Sequence, residues 1–177
     1  MAMPSSISVG DLVLRRYETS HGAHIAEAVV ESGRDLSRYE TWAHSKFDEA
    51  EGREHAAWWD RAWDAGSGYY FGIFQGERYL GSVGLSDINL GHRTAALGYW
   101  VRSSEVGRGL ASTAAAAVVD AGFEHLELVR IEVMTAVENM ASRRVAEKLG
   151  AVLEGTLRKR QVLEGESVDC ALYSVVR

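Results

Sequence analysis

The segment Val106-Gly107-Arg108-Gly109-Leu110-Ala111 lies between a predicted strand and a predicted helix. Residues 94–101 alternate in a way typical of a strand, and residues 107–125 carry an apolar stripe at helical spacing. The two glycines allow positive φ and a close approach to a ligand. Because the first N–H groups of a helix lack partners and its dipole attracts anions, the segment is a candidate pyrophosphate site, to which Arg108 adds a cation.

Two other interpretations of this turn stay open on the residues alone. A tight strand-to-helix turn without a ligand explains the two glycines equally well. A dinucleotide-binding turn needs a third small residue, and Ser112 stands in that place, which strains this interpretation without excluding it. A phosphate-binding P-loop needs Gly-Lys-Ser/Thr, whereas Leu110 follows Gly109 here.

Length and composition predict a single α/β domain over residues 1–177, with a flexible N-terminus of about six residues. The net charge of −6 argues against direct nucleic-acid binding and fits an amine or basic peptide better. No apolar run of membrane-spanning length and no secretory signal is recognisable, so we expect a cytoplasmic protein. Cys170 is the only cysteine and the six histidines lack ligand spacing, so no metal is expected.

The remaining pattern predicts strands and helices on both sides of the glycine turn. The predicted strands cover residues 7–14, 69–74, 79–85, 129–133 and 151–154, with a hairpin of 160–163 and 168–176. The predicted helices cover residues 23–30, 49–65 (capped by Asp48) and 139–149 (capped by Asn139, with Gly150 at C′), whereas residues 32–48 indicate a loop or short helix. Long hairpin runs between helices indicate a sheet of mixed direction.

Four segments in this order resemble the GCN5-related N-acetyltransferase superfamily, most closely its RimJ/RimL-type ribosomal-protein N-terminal acetyltransferases. They are Leu97-Gly-Tyr-Trp-Val-Arg102, the glycine turn, Val137-Glu-Asn-Met-Ala-Ser142 continuing to Gly150, and Leu153-Glu-Gly-Thr-Leu-Arg158. The resemblance implies the fold of that superfamily: a mixed, mostly antiparallel sheet, splayed at its centre, with helices on both faces. It also implies acetyl-CoA as cosubstrate, without a metal.

The resemblance assigns coenzyme-binding roles along these segments. In the family the pantetheine arm pairs with the strand that here ends in Trp100, Val101 and Arg102, and the turn Val106, Gly107, Arg108, Gly109, Leu110 and Ala111 holds the pyrophosphate. Asn139 would hydrogen-bond the pantetheine and Ser142 would lie near the thioester sulfur. From the residues alone, Asn139 is only a helix cap and Ser142 a first-turn polar residue. Arg143, Arg144 and Lys148 form a solvated face, of which one member would touch the adenosine phosphate.

Two departures from the family pattern weaken the pyrophosphate assignment. The family often has Gln or Arg three residues before the first glycine, where this chain has Ser104. Glu105 stands close to the expected phosphates. Because backbone N–H groups do most of the binding, we expect weaker affinity at worst.

The chemistry needs a base for the amine and a proton donor for the departing thiolate. By resemblance to RimL-type enzymes Glu154 is the base and Ser142 the donor, and Tyr173 is a candidate acid on the last strand. The competing interpretations are a surface charge for Glu154 and a packed aromatic ring for Tyr173. Cys170 lies on an apolar strand without a histidine nearby in sequence, so direct transfer in a ternary complex is favoured over an acetylated cysteine.

The acceptor side is predicted in the polar segment after the first helix, which lines the acceptor site in the family. Trp42 and Tyr39 are aromatic residues that need cover there, and Asp48, with Glu40 and Glu49, would attract an amine. Solvated surface is the competing interpretation. The preferred acceptor is a protein N-terminal α-amine, as on a ribosomal protein. The alternatives are a small amine (an antibiotic, a polyamine or an amino-acid-like metabolite) and a non-catalytic acyl-CoA-binding module. The resemblance also indicates a homodimer.

Overall fold

The computed structural model describes residues 2–177, which form one eight-stranded sheet in the order β1-β2-β3-β4-β5-β6-β8-β7. All neighbouring strands are antiparallel except β5 and β6. The strands are β1 Ser6–Val9, β2 Leu12–Arg16, β3 Tyr69–Gln75, β4 Arg78–Asn89, β5 Thr94–Val101, β6 Arg130–Ala136, β7 Val152–Leu163 and β8 Glu166–Val176.

Four helices cover the two faces of this sheet. They are α1 Gly22–Ser37, α2 Glu49–Asp64, α3 Leu110–His125 and α4 Met140–Lys148. Apolar residues of α1 and α2, such as Ile25 and Ala56, belong to one buried cluster, together with Tyr79 of β4. Residues of α3 and α4, such as Val118 and Ala146, belong to a second cluster on the other face. Each face of the sheet is therefore closed by its own pair of helices.

The sheet splays where its two parallel strands meet. The β5–β6 pairing covers only three residue pairs, from Thr94↔Arg130 to Ala96↔Glu132. Beyond that point β5 continues beside β4 as far as Val101, and β6 continues beside β8 as far as Ala136. The ends of β5 and β6 therefore diverge and leave a gap in the middle of the sheet. The predicted mixed, mostly antiparallel, centrally splayed sheet with helices on both faces is confirmed.

Local sequence signals explain several element boundaries. Asp48 caps α2 in a capping box with Glu51, and Asn139 caps α4 by accepting the N–H of Ser142. The β7–β8 hairpin turns through Glu164 and Gly165, which both have positive φ. This is the backbone that a two-residue hairpin turn requires.

Three expectations differ from the structure. Residues 7–14 are not one strand but parts of the β1–β2 hairpin, which reverses at Gly10 with a φ of +57°. The helix α1 continues through Ser37, so it is longer than the expected helix 23–30 and enters the segment expected to be a loop or short helix. α3 begins at Leu110 rather than at residue 107, because the left-handed Gly109 (φ +80°) cannot be part of a right-handed helix.

The expected flexible N-terminus stays a prediction, although several of its described residues contact the rest of the domain. Met3 is buried against the main core, and the carbonyl of Ser5 accepts a 2.8 Å hydrogen bond from the N–H of Arg16. The strand β1 then begins at Ser6. Met1 lies outside the described residues. Within residues 2–177, no helix is long and apolar enough to cross a membrane.

Candidate functional site

A cavity of about 610 Å³ fills the gap between the diverging strands. Its walls are the end of β5 from Leu97 to Val101 and the end of β6 from Val133 to Ala136. On one face of the sheet it is lined by the "turn half", which comprises residues 106, 107 and 109–112 with Asn139 and Ser142 near the start of α4. On the other face it is lined by the "aromatic half", which comprises Leu36, Tyr39, Glu40 and Trp100. The cavity thus connects the two faces of the sheet.

The glycine turn presents its backbone to this cavity. Gly107 and Gly109 have φ values of +87° and +80°, a conformation that side-chain-bearing residues rarely adopt. Gly109 is the N-cap of α3 and offers no side chain to cover the first N–H groups of that helix. Because these donors lack intrahelical partners, they are available to an anion in the cavity.

The charged side chains around the turn are already paired with one another. Glu105 is almost completely buried and forms ion pairs with Arg78 (2.6 Å) and with Arg108. The cation expected from Arg108 is therefore used to neutralise Glu105, and Arg108 is not among the residues lining the cavity. Arg144 and Lys148 of α4 do line it, and they supply the positive charge that the turn itself lacks.

Arg102 is not among the residues that line the cavity. Its side chain is 2% exposed and crosses to the α1 face of β5. There its Nε donates to the carbonyl of Tyr79 at 2.7 Å, and its Nη1 pairs with Glu27 and Glu31 of α1 at 3.1 and 2.7 Å. The guanidinium connects α1 to the end of β5 and does not point into the cavity. The expected coenzyme contact of Arg102 is through the strand backbone and stays a prediction.

Near the N-terminus of α4, Asn139 and Ser142 lie together with Tyr99, a residue that sequence reasoning did not single out. The side-chain oxygen of Asn139 accepts the N–H of Ser142 at 3.1 Å, so its amide nitrogen is the group left to donate to a ligand. The hydroxyl of Tyr99 lies 3.1 Å from the Ser142 hydroxyl and donates to the Ser142 carbonyl at 2.9 Å. Burial raises the pKa of Tyr99 to about 12, although its hydrogen bond to Ser142 opposes this shift. Tyr99 therefore keeps its proton at neutral pH.

Glu154 lies outside the cavity, at the other end of β6. The guanidinium of Arg130 donates to it at 2.6 Å, and the hydroxyl of Ser174 donates to it at 2.6 Å. The bonds from Arg130 and then Ser174 lower its pKa to about 2. A carboxylate held this firmly in its charged form is a poor base. In addition, Arg130 pairs with Thr94 where β5 and β6 are still hydrogen-bonded, which is the closed end of the splay. The geometry therefore argues against Glu154 as the base, an assignment that kinetics of a Glu154 variant would test.

Tyr173 also lies outside the cavity lining. Its ring is buried in the core on the α3 and α4 face, its hydroxyl accepts from the Nε of Arg143 at 3.0 Å, and it donates to Glu147 at 3.2 Å. Both hydrogen-bonding directions of the hydroxyl are thus occupied by α4. The packed-aromatic interpretation describes this residue, and Tyr99 is the tyrosine that faces the cavity.

The predicted acceptor residues are only partly brought together. Tyr39 lines the cavity, whereas Asp48 is an exposed helix cap whose carboxylate accepts the N–H of Glu51 at 2.9 Å. Trp42 is half-buried just behind the lining, with its ring 6.1 Å from that of Trp100. Its indole N–H donates to Glu40 at 2.9 Å. Asp48 is therefore explained by capping, and Trp42 contacts two residues that line the cavity, Glu40 and Trp100.

Sequence reasoning missed Tyr99 and gave Glu40 only a supporting place. Tyr99 stood within the quoted strand motif. Because it is one residue before Trp100, its side chain was predicted to lie on the opposite face of β5 from that of Trp100. No spacing rule placed it beside Ser142, which is 43 residues later. Glu40 followed Tyr39 in a polar segment, where nothing in the pattern distinguishes a cavity carboxylate from a surface one.

The chain belongs to a known family of transferases. Residues 11–152 match the family described as "Acetyltransferase (GNAT) domain", which covers well over half of the 177 residues. The chain is therefore a member of the GNAT acetyltransferases, and the splayed sheet with its glycine turn is the fold of that class. The resemblance found in the sequence is confirmed at this level.

Individual relatives are similar over different extents. YdaF of Bacillus subtilis (strain 168), provisionally named a ribosomal N-acetyltransferase, is 26% identical over 167 residues, which are 94% of this chain and 91% of YdaF. The ribosomal-protein-serine acetyltransferase of Escherichia coli (strain K12) is 32% identical over 104 residues, 59% of this chain and 58% of that protein. The structure of Mycobacterium smegmatis RimJ in complex with CoA-disulfide superimposes with a TM-score of 0.89 at 25% identity, over 97% of this chain and 85% of RimJ.

Proposed function

We propose that this protein transfers the acetyl group of acetyl-CoA directly to a protein N-terminal α-amine in a ternary complex. The observation that carries the proposal is the cavity that passes through the splayed sheet. It has backbone donors on the α3 and α4 face and a carboxylate with aromatic rings on the α1 and α2 face. Two substrates can therefore enter from opposite faces and meet between β5 and β6.

The turn half fits the coenzyme by its chemistry. The open N–H groups at the start of α3 suit a pyrophosphate, and no side chain at Gly107 or Gly109 obstructs them. Arg144 and Lys148 supply cations that Arg108 does not. The amide nitrogen of Asn139 and the unpaired edge of β5 offer hydrogen bonds to the amide groups of a pantetheine arm. RimJ of M. smegmatis, with its bound CoA-disulfide, supports this assignment.

The reaction balances within this arrangement. The amine nitrogen bonds to the thioester carbonyl carbon, the carbon–sulfur bond breaks, and the amine loses the proton that the departing thiolate finally gains. The Ser142 hydroxyl gives its proton to the thiolate and regains one from the proton that the amine loses. The Tyr99 hydroxyl, which donates to the Ser142 carbonyl and lies 3.1 Å from the Ser142 hydroxyl, holds that hydroxyl in place. Free N–H groups on the edge of β5 that faces the splay stabilise the tetrahedral oxyanion.

The preference for a protein N-terminus is supported by the names of relatives. The E. coli relative is a ribosomal-protein-serine acetyltransferase, and YdaF carries a similar provisional name. The formal charge of −6 also suits a basic protein as partner.

The test is release of free CoA thiol by purified protein supplied with acetyl-CoA and matched acceptors. We expect turnover with a short peptide that has a free Ser or Ala N-terminus, and none with the same peptide N-acetylated. Turnover with small amines but not with peptides would replace the proposed acceptor by a small molecule. Acetyl-CoA binding by calorimetry without thiol release from any acceptor would leave only a coenzyme-binding module.

A further inference from the structure

We propose that Glu40 is the group that binds the ammonium of the acceptor and removes its proton, and that Trp42 positions the Glu40 carboxylate by an indole hydrogen bond. This rests on the proposed function, because it names the base for the same reaction. It replaces Glu154, which lies at the closed end of the splay.

The first observation is that Glu40 differs from the other carboxylates of the cavity. Glu105 is ion-paired with two arginines. Asp35 accepts the Ser103 hydroxyl at 2.6 Å and is exposed to solvent, whereas Glu40 is half-buried. Glu40 has no cation within salt-bridge distance among residues 2–177. Arg38, two residues before it, is turned toward Glu138. A lining carboxylate without a cation of its own is suited to bind one from a substrate.

The second observation is that one carboxylate oxygen is fixed and the other is free. Oε2 accepts the indole N–H of Trp42 at 2.9 Å, while Oε1 has no hydrogen-bond partner within the described residues. Oε1 is not a fully buried, unsatisfied atom, so it keeps contact with solvent, and Glu40 is one of the residues that line the cavity. A base with one oxygen anchored and one exposed presents a defined lone pair to an incoming amine.

The third observation is the aromatic surrounding of this carboxylate. Trp42 packs against Trp100 of the cavity wall and lies 4.7 Å from the ring of His55 on α2. Tyr70 stacks on Trp59 at 3.7 Å and directs its hydroxyl at Gly98, where an added Cβ would lie 2.0 Å from that oxygen. Aromatic faces beside a carboxylate attract an ammonium group while excluding water. Gly98 is needed for this packing because any side chain there would displace Tyr70.

Among the titratable groups around Glu40, none is a better candidate for the base than Glu40 itself. Burial lowers the pKa of His55 to about 4, so this ring is neutral at pH 7. Burial raises the pKa of Tyr70, which therefore also stays neutral. Burial raises the pKa of Glu40 itself, opposed by the Trp42 hydrogen bond, which makes it a stronger base than an exposed carboxylate. Asp35, on α1, accepts the Ser103 hydroxyl through Oδ2 and is exposed to solvent, unlike the half-buried Glu40.

The experiment compares Glu40→Gln with the wild-type protein across pH, using acetyl-CoA and a short peptide with a free N-terminus. An α-amine has a pKa near 8, so we expect kcat/KM of the variant to fall about 100-fold at about pH 6.5 and to recover most of this loss at about pH 9. Calorimetric affinity for acetyl-CoA should not change. Glu54→Gln, which removes an exposed carboxylate from α2, is the matched control and should behave like the wild type.

Trp42→Phe tests the positioning role, because it keeps the aromatic ring and removes the hydrogen bond. Since that bond lowers the pKa of Glu40, we expect the acidic limb of kcat/KM to move to higher pH. A Glu40→Gln defect that is the same at all pH values, or no defect, would overturn the role of Glu40 while leaving the proposed function intact. Absence of turnover by the wild type would overturn both. If the acidic limb of kcat/KM does not move in Trp42→Phe, Trp42 does not position Glu40 for the reaction.

Discussion

The two halves of the cavity use different parts of the chain to bind their ligands. In the proposed assignment, the turn half offers the backbone N–H groups of the segment 106–112, to which α4 adds the Asn139 amide and the cations of Arg144 and Lys148. Glu105 and its two arginines neutralise each other beside this segment. The aromatic half would bind the acceptor through side chains that come from α1, the following segment and β5, and among residues 2–177 its carboxylate, Glu40, has no cation within salt-bridge distance. Backbone geometry therefore places the ligand-binding groups of the turn half, and tertiary packing places those of the aromatic half.

This difference has a consequence for specificity. A backbone anion site recognises the phosphate oxygens of the cosubstrate. These oxygens are the same whichever amine is acetylated, so this site need not change with the acceptor. A site made of side chains from separate elements changes with single substitutions and can suit different amines. Within one fold the turn half would then remain the same while the aromatic half selects the acceptor.

The largest effect is expected from Gly109→Val, which tests whether the turn half binds acetyl-CoA through its backbone. A β-branched residue at φ +80° is strained and forces the turn away from the conformation that exposes its N–H groups. We expect acetyl-CoA affinity to fall at least about 100-fold, which corresponds to about 2.7 kcal/mol. Isothermal titration calorimetry measures this, and circular dichroism checks that the variant is folded.

Gly10→Val is the matched control for this strain. Gly10 also has positive φ (+57°) and open space around its Cβ position, but it lies in the β1–β2 turn, away from the cavity lining. It should lose stability by a similar amount and bind acetyl-CoA normally. Normal affinity in Gly109→Val would mean that the pyrophosphate does not lie on this turn.

The contrast also explains what the sequence could predict. The glycine turn, the Asp48 and Asn139 caps and the Glu164-Gly165 hairpin are local, so their residues signal them directly. The splay follows from strand order and was accessible only through family resemblance. Glu154 and Tyr173 were assigned by motif position, which does not report that Arg130 and α4 occupy their polar atoms.

A second prediction sharpens the chemistry at the boundary between the two halves. Ser142→Ala removes the hydroxyl proposed to protonate the thiolate, and a hydrogen bond to a charged group contributes about 2 kcal/mol, so kcat should fall about 30-fold. Tyr99→Phe leaves that hydroxyl without its partner and should lower kcat about fivefold, from about 1 kcal/mol. Steady-state kinetics of thiol release measures both.

Tyr69→Phe is the control for these variants, because this half-buried tyrosine of β3 packs on Trp63 outside the cavity lining. It should keep the wild-type kcat. If Tyr173→Phe lowered kcat more than Tyr99→Phe did, the tyrosine assignment made from the geometry would be wrong.

A third prediction separates stability from binding at Arg102. Arg102→Met keeps much of the side-chain volume but leaves the buried carbonyl of Tyr79 without its donor, which costs about 1–3 kcal/mol. The partners Glu27 and Glu31 retain contact with solvent, so they add less. Urea unfolding should show this loss, while acetyl-CoA affinity stays within about threefold of the wild type, or about 0.6 kcal/mol. Arg53→Met, which removes an exposed helix pair with Glu49, should cost only about 0.3–0.5 kcal/mol.

The smallest effect is expected from Glu154→Gln, which tests the boundary of the site. We expect unchanged kcat, because Glu154 pairs with Arg130 and Ser174 outside the cavity lining. Its folded-state pKa of about 2 lies below the ordinary carboxyl value of about 4.3, so its ionised form stabilises the fold above that value. This contribution is lost as pH falls through about 2, so the stability difference between wild type and variant should shrink between about pH 4.3 and 2. Because the pair is exposed, salt should also reduce the difference. A lower kcat with unchanged stability would return Glu154 to the mechanism and extend the active site to the closed end of the splay.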